Sequence, residues 1–280
     1  MVKKKWGKRL LIQIAAIIIG FIVLFPFLAM IFYSTKGYLD IISDIPPKLQ
    51  FKWSTIIKNY REVLFGRNFI YYVRNSLIVT VSTTIIALTI GLPAAYGLSR
   101  FKFKGHSFLT TWILSNRFLP PVAFVIPLFL FIRSLKLLDK FPGLIIPYVG
   151  FSLPFIIWIM IGFFDDIPLE IDESALIDGA SRIGAFFRVI LPISGPGLVA
   201  TSIFAIIFTW HEFLIGLFIS VTRKTQTAPI GGAGLLTVES PLAHNLTAGV
   251  GVVTIMPIIL IAFVLSKYIV RGMTLGAVKQ

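Results

Sequence analysis

Residues 171–192 read IDESALIDGASRIGAFFRVILP, a charged amphipathic stretch with a glycine near its middle, set between two apolar runs each long enough to cross a bilayer. A connector between two membrane helices needs only a few polar residues. The interval 165–197 is far longer and can fold into short helices of its own, so the pattern reads as span, elaborated loop, span. With 56% hydrophobic and 14% charged residues and a mean hydropathy of +0.90, the chain is too apolar for the surface of a soluble domain. It reads as an integral membrane protein.

A hydrocarbon core of about 30 Å needs roughly 20 apolar residues of helix. Six segments meet that requirement: 10–33, 76–98, 109–132, 141–164, 198–221 and 248–270. They are too long and too uniformly apolar for the alternating strands of a membrane barrel. The expected fold is therefore an all-α membrane protein with six transmembrane helices, a single transmembrane domain over 1–280. The run 10–33 follows Lys3, Lys4, Lys5, Lys8 and Arg9, but it is longer than a secretory signal and no small-x-small cleavage site follows, so it is read as a retained first span. The same five basic residues put the amino terminus in the cytoplasm. Six crossings return the carboxyl terminus there, place 165–197 on the cytoplasmic side and turn the loops 34–75, 133–140 and 222–247 outward. The outer loops 34–75, with Pro46 and Pro47, and 222–247, with Gly231-Gly232-Ala233-Gly234 suited to a tight backbone turn, are expected to receive an extracellular partner.

The formal charge of +14 would suggest nucleic acid in a soluble chain. Here the Lys and Arg residues fall largely in short loops and tails, where they meet lipid headgroups and set orientation. The absence of cysteine excludes disulfides and thiol catalysis. Prolines at 26, 93, 120, 121, 127, 147, 154 and 257 lie inside the spans, each leaving a carbonyl without its helical donor, a pattern suited to bending helices.

Acid is concentrated in the insertion. Six of the fourteen residues in 165–178 are acidic, half of the twelve in the chain. A helix starting after Pro168 brings Ile171, Ser174, Ala175 and Asp178 near one another as a small ridge and leaves Asp172 and Glu173 on other faces. Gly179 ends it in the left-handed conformation, and Ser181 caps a second helix with Ile183, Phe186, Phe187 and Ile190 on one side, closed by Pro192.

The stretch ESALIDGA at 173–180, followed by Phe187 and by Leu191-Pro192, resembles the EAA motif of permease subunits of binding-protein-dependent ABC importers. Ser174 stands where Ala is usual, and Val189 replaces an Ile. The similarity extends, in order, through RNSL at 74–77, AYGLSRF at 95–101, IPL at 126–128, LKLLD at 135–139, LPF at 153–155, Phe163-Phe164 with Ile167-Pro168, and WHEF at 210–213, where His211 replaces the usual Asn. This narrows the resemblance to the carbohydrate importers, the group that includes the smaller permease of the maltose transporter.

The resemblance implies a pore-forming, non-catalytic subunit whose coupling helix, Glu173 to Ala180, docks in a cleft of an ATPase. Glu173 would pair with a basic residue there, Ser174, Ala175, Asp178 and Ala180 would complete the docking segment, and Gly179 would allow the bend. The implied partners are a second permease, two ATPases that bind ATP and Mg, and an extracellular or periplasmic sugar-binding protein, all at a bacterial or archaeal cytoplasmic membrane. The chain has no Gly-x-x-x-x-Gly-Lys-Ser/Thr sequence and so no phosphate-binding loop of its own.

Arg117, His211 and Glu212 lie within apolar segments, where an unmatched charge costs at least about 2.5 kcal/mol. One reading sets Trp210, His211, Glu212 and Phe213 along a substrate path, where aromatic and hydrogen-bonding groups meet a sugar. The other makes Glu212 an interhelical hydrogen-bonding group. A zinc-binding HExxH helix is excluded, because Ile215 occupies the fifth position. A proton-coupled transporter using His211 and Glu212 is the rival mechanism, and it leaves the acidic helix-Gly-helix loop without a purpose. The Asp165-Asp166 pair lacks the second acidic cluster that metal-assisted transfer needs. His106 and His244 are read as surface residues.

Overall fold

The computed structural model describes residues 3–43, 48–116, 120–238 and 244–275, with side chains over 9–43, 48–116, 120–235 and 244–264. Arg117, Pro46 and Pro47 lie outside the described residues. Within them every regular element is helical. Backbone contacts divide the chain into two compact units, 1–70 with 232–256 and 71–231 with 257–280.

In the first unit, α1 (Lys3–Ser34) is a 32-residue helix that continues through Pro26. Its apolar side chains are exposed along most of its length, Leu11 and Ile17 by about 70%, as suits a helix surrounded by lipid or by another chain. The expected outer loop is itself folded, into α2 (Tyr38–Ser43), α3 (Trp53–Arg61) and a π-helical turn at Glu62–Gly66. Buried Asn59 organises it. Its Nδ2 donates to the carbonyls of Ser34 (2.9 Å) and Lys36 (2.7 Å), satisfying orphan acceptors after α1, while its Oδ1 accepts from Asn245 (3.2 Å).

The second unit begins within α4 (Phe69–Arg100) and continues with α5 (His106–Ser115), α6 (Pro121–Ser134), α7 (Phe141–Asp165), α8 (Leu169–Ile177), α9 (Arg182–Ala185), a π-helical turn (Phe186–Ile190), α10 (Leu191–Ile193), α11 (Gly195–His211), α12 (Leu214–Ile219) and the start of α13 (Ala228–Val238). The last helix is α14 (His244–Leu275). Helix α7 is buried at positions all round its axis, including Leu144, Tyr148, Ile156, Met160 and Phe164, which makes it the centre of this unit.

Four expected spans appear as single helices long and apolar enough to cross a bilayer: α1, α4, α7 and α14. The other two are interrupted. The segment 109–132 is divided between α5 and α6, and Pro120 and Pro121 stand at the start of α6, where a residue without an N–H fits the first turn but cannot continue a preceding helix. The segment 198–221 breaks after His211, because Glu212 is extended (φ −65°, ψ 123°). The glycines 231–234 form no turn: all four positions lie in α13. Gly231 packs so closely on the Tyr72 ring that a Cβ there would collide with it, so that glycine serves close packing.

Candidate functional site

The insertion after α7 is built by local chemistry. Pro168 precedes α8. At the other end Gly179 N–H bonds to Leu176 O (3.1 Å) and Ala180 N–H to Ala175 O (3.0 Å), with Gly179 at φ +86°. This is a Schellman closure, which needs a left-handed residue that glycine adopts without a Cβ penalty. Ser181 then accepts a bond from Gly184 N–H (3.1 Å) and caps α9.

Helix α8 has two faces. Asp172 and Ala175 are buried, with Ile171 half-buried beside them, whereas Glu173, Ser174, Ile177, Asp178 and Gly179 are exposed and Ala180 is half-buried. The expected ridge is thereby split: Ile171 and Ala175 seat the helix, while Ser174 and Asp178 join the outward face. Ile177 is 86% exposed, an apolar group at the centre of an acidic surface that the sequence reading did not single out.

Asp172 was also missed. Its Oδ1 accepts from Tyr96 Oη (2.5 Å) and its Oδ2 from Arg100 Nε (3.0 Å). Arg100 also donates to Ile167 O (3.0 Å), and Ser99 Oγ donates to Asp165 (2.5 Å). The end of α4 therefore holds the end of α7, the following turn and α8. The Tyr96 ring meets Phe164 and Phe186 at centroid distances of 5.8 and 4.9 Å, within a core that includes Leu92, Ala95, Met160 and Ile190. The available signal was Tyr96 and Arg100 themselves, in a matched motif, one turn apart at the end of a span.

The second half of the insertion departs from expectation. Phe186 and Ile190 are buried, but Ile183 and Phe187 are exposed by 73% and 55%. Residues 186–190 form a π-helical turn, whose wider winding changes which residues share a face. Pro192 offers no N–H to the carbonyl four residues before it, which accounts for the irregular turn ahead of it. Nor does Pro192 close the helix. It lies within α10, and the chain bends by 81° between Arg182–Ile193 and Gly195–His211. His106 is not an idle surface residue: its Nε2 lies 2.6 Å from Leu98 O, at the end of α4.

The residues 210–213 are brought together with differing surroundings. Trp210 is buried at 1% exposure, His211 and Phe213 are exposed, and Glu212 is half-buried. The Glu212 carboxylate accepts from the N–H groups of Ile215 (2.8 Å) and Gly216 (3.0 Å), the first turn of α12. It is thus a local helix cap for α12, placed at a break in an apolar segment, where an interhelical bond was expected. A cavity of about 650 Å³ is lined by Tyr148, Ser152, Phe208, His211, Glu212 and Phe213, among others, but not by Trp210.

Beyond α12, Asp139 clasps the next loop. It accepts from Thr222 N–H (2.9 Å), Thr222 Oγ1 (2.5 Å) and Thr225 Oγ1 (2.7 Å), and its own N–H donates to Ile219 O (3.1 Å). Its φ of +56° is one that Asp tolerates better than most residues. Burial raises the Asp139 carboxyl, but the bonds from Thr222, Thr225 and Val221 outweigh it and hold the group below its ordinary value. A depressed pKa stabilises the fold above the unfolded value, about 3.9, and that contribution is lost as pH falls through the lower folded value. Thermal unfolding of the solubilised protein should therefore show a stability loss below about pH 4 that Asp139→Asn lacks, the variant being less stable at neutral pH by about 1–3 kcal/mol.

A family model described as "Binding-protein-dependent transport system inner membrane component" matches residues 87–275. The chain belongs to this family. Among permeases of such transport systems, it is 33% identical over 274 residues to the trehalose/maltose transport system permease protein MalG of Thermococcus litoralis, covering 97% of each chain. It is 38% identical over 224 residues to the trehalose transport system permease protein SugB of Mycobacterium tuberculosis, covering 79% of this chain and 81% of that one. It is 31% identical over 269 residues to the diacetylchitobiose uptake system permease protein DasC of Streptomyces coelicolor, covering 95% and 96%. The same fold occurs in a chain of a bacterial ABC transporter involved in the import of the acidic polysaccharide alginate, with a TM-score of 0.75 at 22% identity over 94% of this chain and 97% of that one. This permease is an all-helical membrane component of a binding-protein-dependent transport system.

Proposed function

We propose that this chain is the pore-forming permease of an ATP-driven ABC importer that moves a sugar or related carbohydrate across the cytoplasmic membrane, coupled to its ATPases through Glu173–Ala180. The observation that carries the coupling assignment is the outward face of α8, where Glu173, Ile177 and Asp178 are exposed on a helix held from behind. An exposed isoleucine among carboxylates suits a cleft lined with apolar and basic groups. The carbohydrate assignment rests on permease relatives whose names cite trehalose, maltose and diacetylchitobiose. In this reading ATP and Mg are bound by two partner ATPases, a second permease completes the pore, and a binding protein delivers the sugar outside.

The reading keeps six crossings, two of them interrupted, with both termini and 165–197 in the cytoplasm. What supports it is the grouping of contacts. Residues 99–106 meet the 165–197 insertion, through Ser99 to Asp165, Arg100 to Asp172, and Arg182 over the Phe101 ring at 5.2 Å. Loops assigned to the outside meet one another, through Asp139 to Thr222 and Thr225, and Asn75 to the carbonyls of Arg223 (3.1 Å) and Gln226 (3.0 Å). The cavity beside Glu212 has the volume of a small-molecule site, and we place it on the substrate path.

Reconstitution tests the reading. Sugar uptake into liposomes should require ATP, the ATPases, the partner permease and the binding protein together. Uptake by this chain alone, driven by a pH gradient, would overturn it in favour of proton coupling.

A further inference from the structure

We propose that Arg100 and Asp172, with Tyr96, are positioning residues that make α4 follow the coupling helix, so that ATPase movement enters the membrane through α4 as well as through the sequence neighbours of α8. The inference rests on reading α8 as the ATPase-docking helix.

Along the backbone, α8 is joined to the rest of the chain by the turn before Pro168 and by Gly179 at φ +86°. Two short joints leave the placement of α8 to its side-chain contacts, with Ile171 and Ala175 seating it from behind. Asp172 supplies the third attachment, from the middle of α8 to the end of a helix that runs unbroken from Phe69 to Arg100. The attachment is directional. Tyr96 and Arg100 stand one turn apart, and each engages a different Asp172 oxygen. Arg100 directs two of its other donors to Ile167 O (3.0 Å) and Ser99 Oγ (3.4 Å). The Arg100 and Asp172 side chains are only 6% and 11% exposed. Separating them would leave two charges with little water around them, an outcome far less favourable than moving together. A displacement of α8 therefore carries the end of α4 with it, and the aromatic contacts from Tyr96 to Phe164 and Phe186 extend the same motion to α7 and the π-helical turn.

The test uses the assembled complex with its ATPases, partner permease and binding protein. Asp172→Asn and Arg100→Lys should assemble and hydrolyse ATP, while sugar transported per ATP falls about tenfold, within the range of ordinary coupling free energies. Tyr96→Phe, which removes one hydrogen bond, should lose less. Arg100→Lys keeps the charge but replaces the planar fork by a single flexible ammonium, so it carries the test if Asp172→Asn fails to assemble. The chain has no cysteine, so spin labels attached at Glu170→Cys and Lys102→Cys before the chain is assembled with its partners report the distance between α8 and the segment just after α4. That distance should stay constant through the ATP cycle in the otherwise unchanged protein and vary in Asp172→Asn. Unchanged transport per ATP in both Asp172→Asn and Arg100→Lys, or a label distance that already varies without them, overturns the proposal. If Glu173→Lys also leaves transport intact, the docking assignment itself fails; if Glu173→Lys abolishes transport and the clamp variants do not, only the clamp falls.

Discussion

Glu173→Lys is expected to leave the chain folded in the membrane and to abolish transport. Glu173 is exposed at the middle of α8, so its replacement should change fold stability by no more than about 0.5 kcal/mol. At a docking surface the consequence is far larger. On the proposed docking, where Glu173 faces a basic residue of the ATPase, reversing the charge replaces attraction by like-charge juxtaposition, a cost of several kcal/mol, equivalent to a loss of binding of more than about a hundredfold. The informative measurement is a pair: unfolding of the permease, expected to be unchanged, and ATPase co-purification with transport, expected to be lost. Transport at the unsubstituted level would defeat the coupling assignment.

Glu212→Ala should produce the opposite pattern, a structural defect that secondarily stops transport. The Glu212 carboxylate satisfies two backbone donors of α12, in a segment whose interruption would otherwise expose N–H groups to an apolar environment. Each donor left unmatched costs about 1–3 kcal/mol, so with two donors the alanine variant should be destabilised by roughly 2–6 kcal/mol. Glu212→Gln keeps one acceptor but turns an amide donor toward the second N–H, and should fall between. Melting of the solubilised complex in parallel with uptake kinetics separates this from a direct substrate contact. A role in binding sugar would raise the KM for uptake in Glu212→Gln without lowering the melting temperature.

These two residues also mark where sequence was informative. The helix-Gly-helix form of the insertion was legible because Pro168, Gly179 and Ser181 act on their own neighbours, through missing donors, a left-handed dihedral and a capping hydroxyl. The clamp on Asp172 was not, since its partners Tyr96 and Arg100 lie 76 and 72 residues away and no local pattern links them. The sidedness of Ile183 and Phe187 was misread because helical periodicity presumes a regular α-helix, and residues 186–190 wind differently. Hydropathy located the four unbroken long helices, α1, α4, α7 and α14, but is blind to a backbone break: Pro120 and Pro121 look as apolar as their surroundings, and Glu212 ends a helix through its dihedrals and its hydrogen bonds, which composition does not record.

The bend at Ser194 has a mechanical meaning. Its hydroxyl donates to Ile190 O (2.8 Å) and its carbonyl accepts from Leu198 N–H (2.9 Å), so the corner is hydrogen-bonded on both sides and is firm. The chain turns through 81° between the two arms, and α11, at 17 residues, is about 25 Å long. A firm right-angled joint behaves as a bell crank. On the proposed docking of α8, a thrust on the shorter arm would swing the far end of the longer one, carrying the cavity-lining end of α11, at Phe208 and His211, sideways.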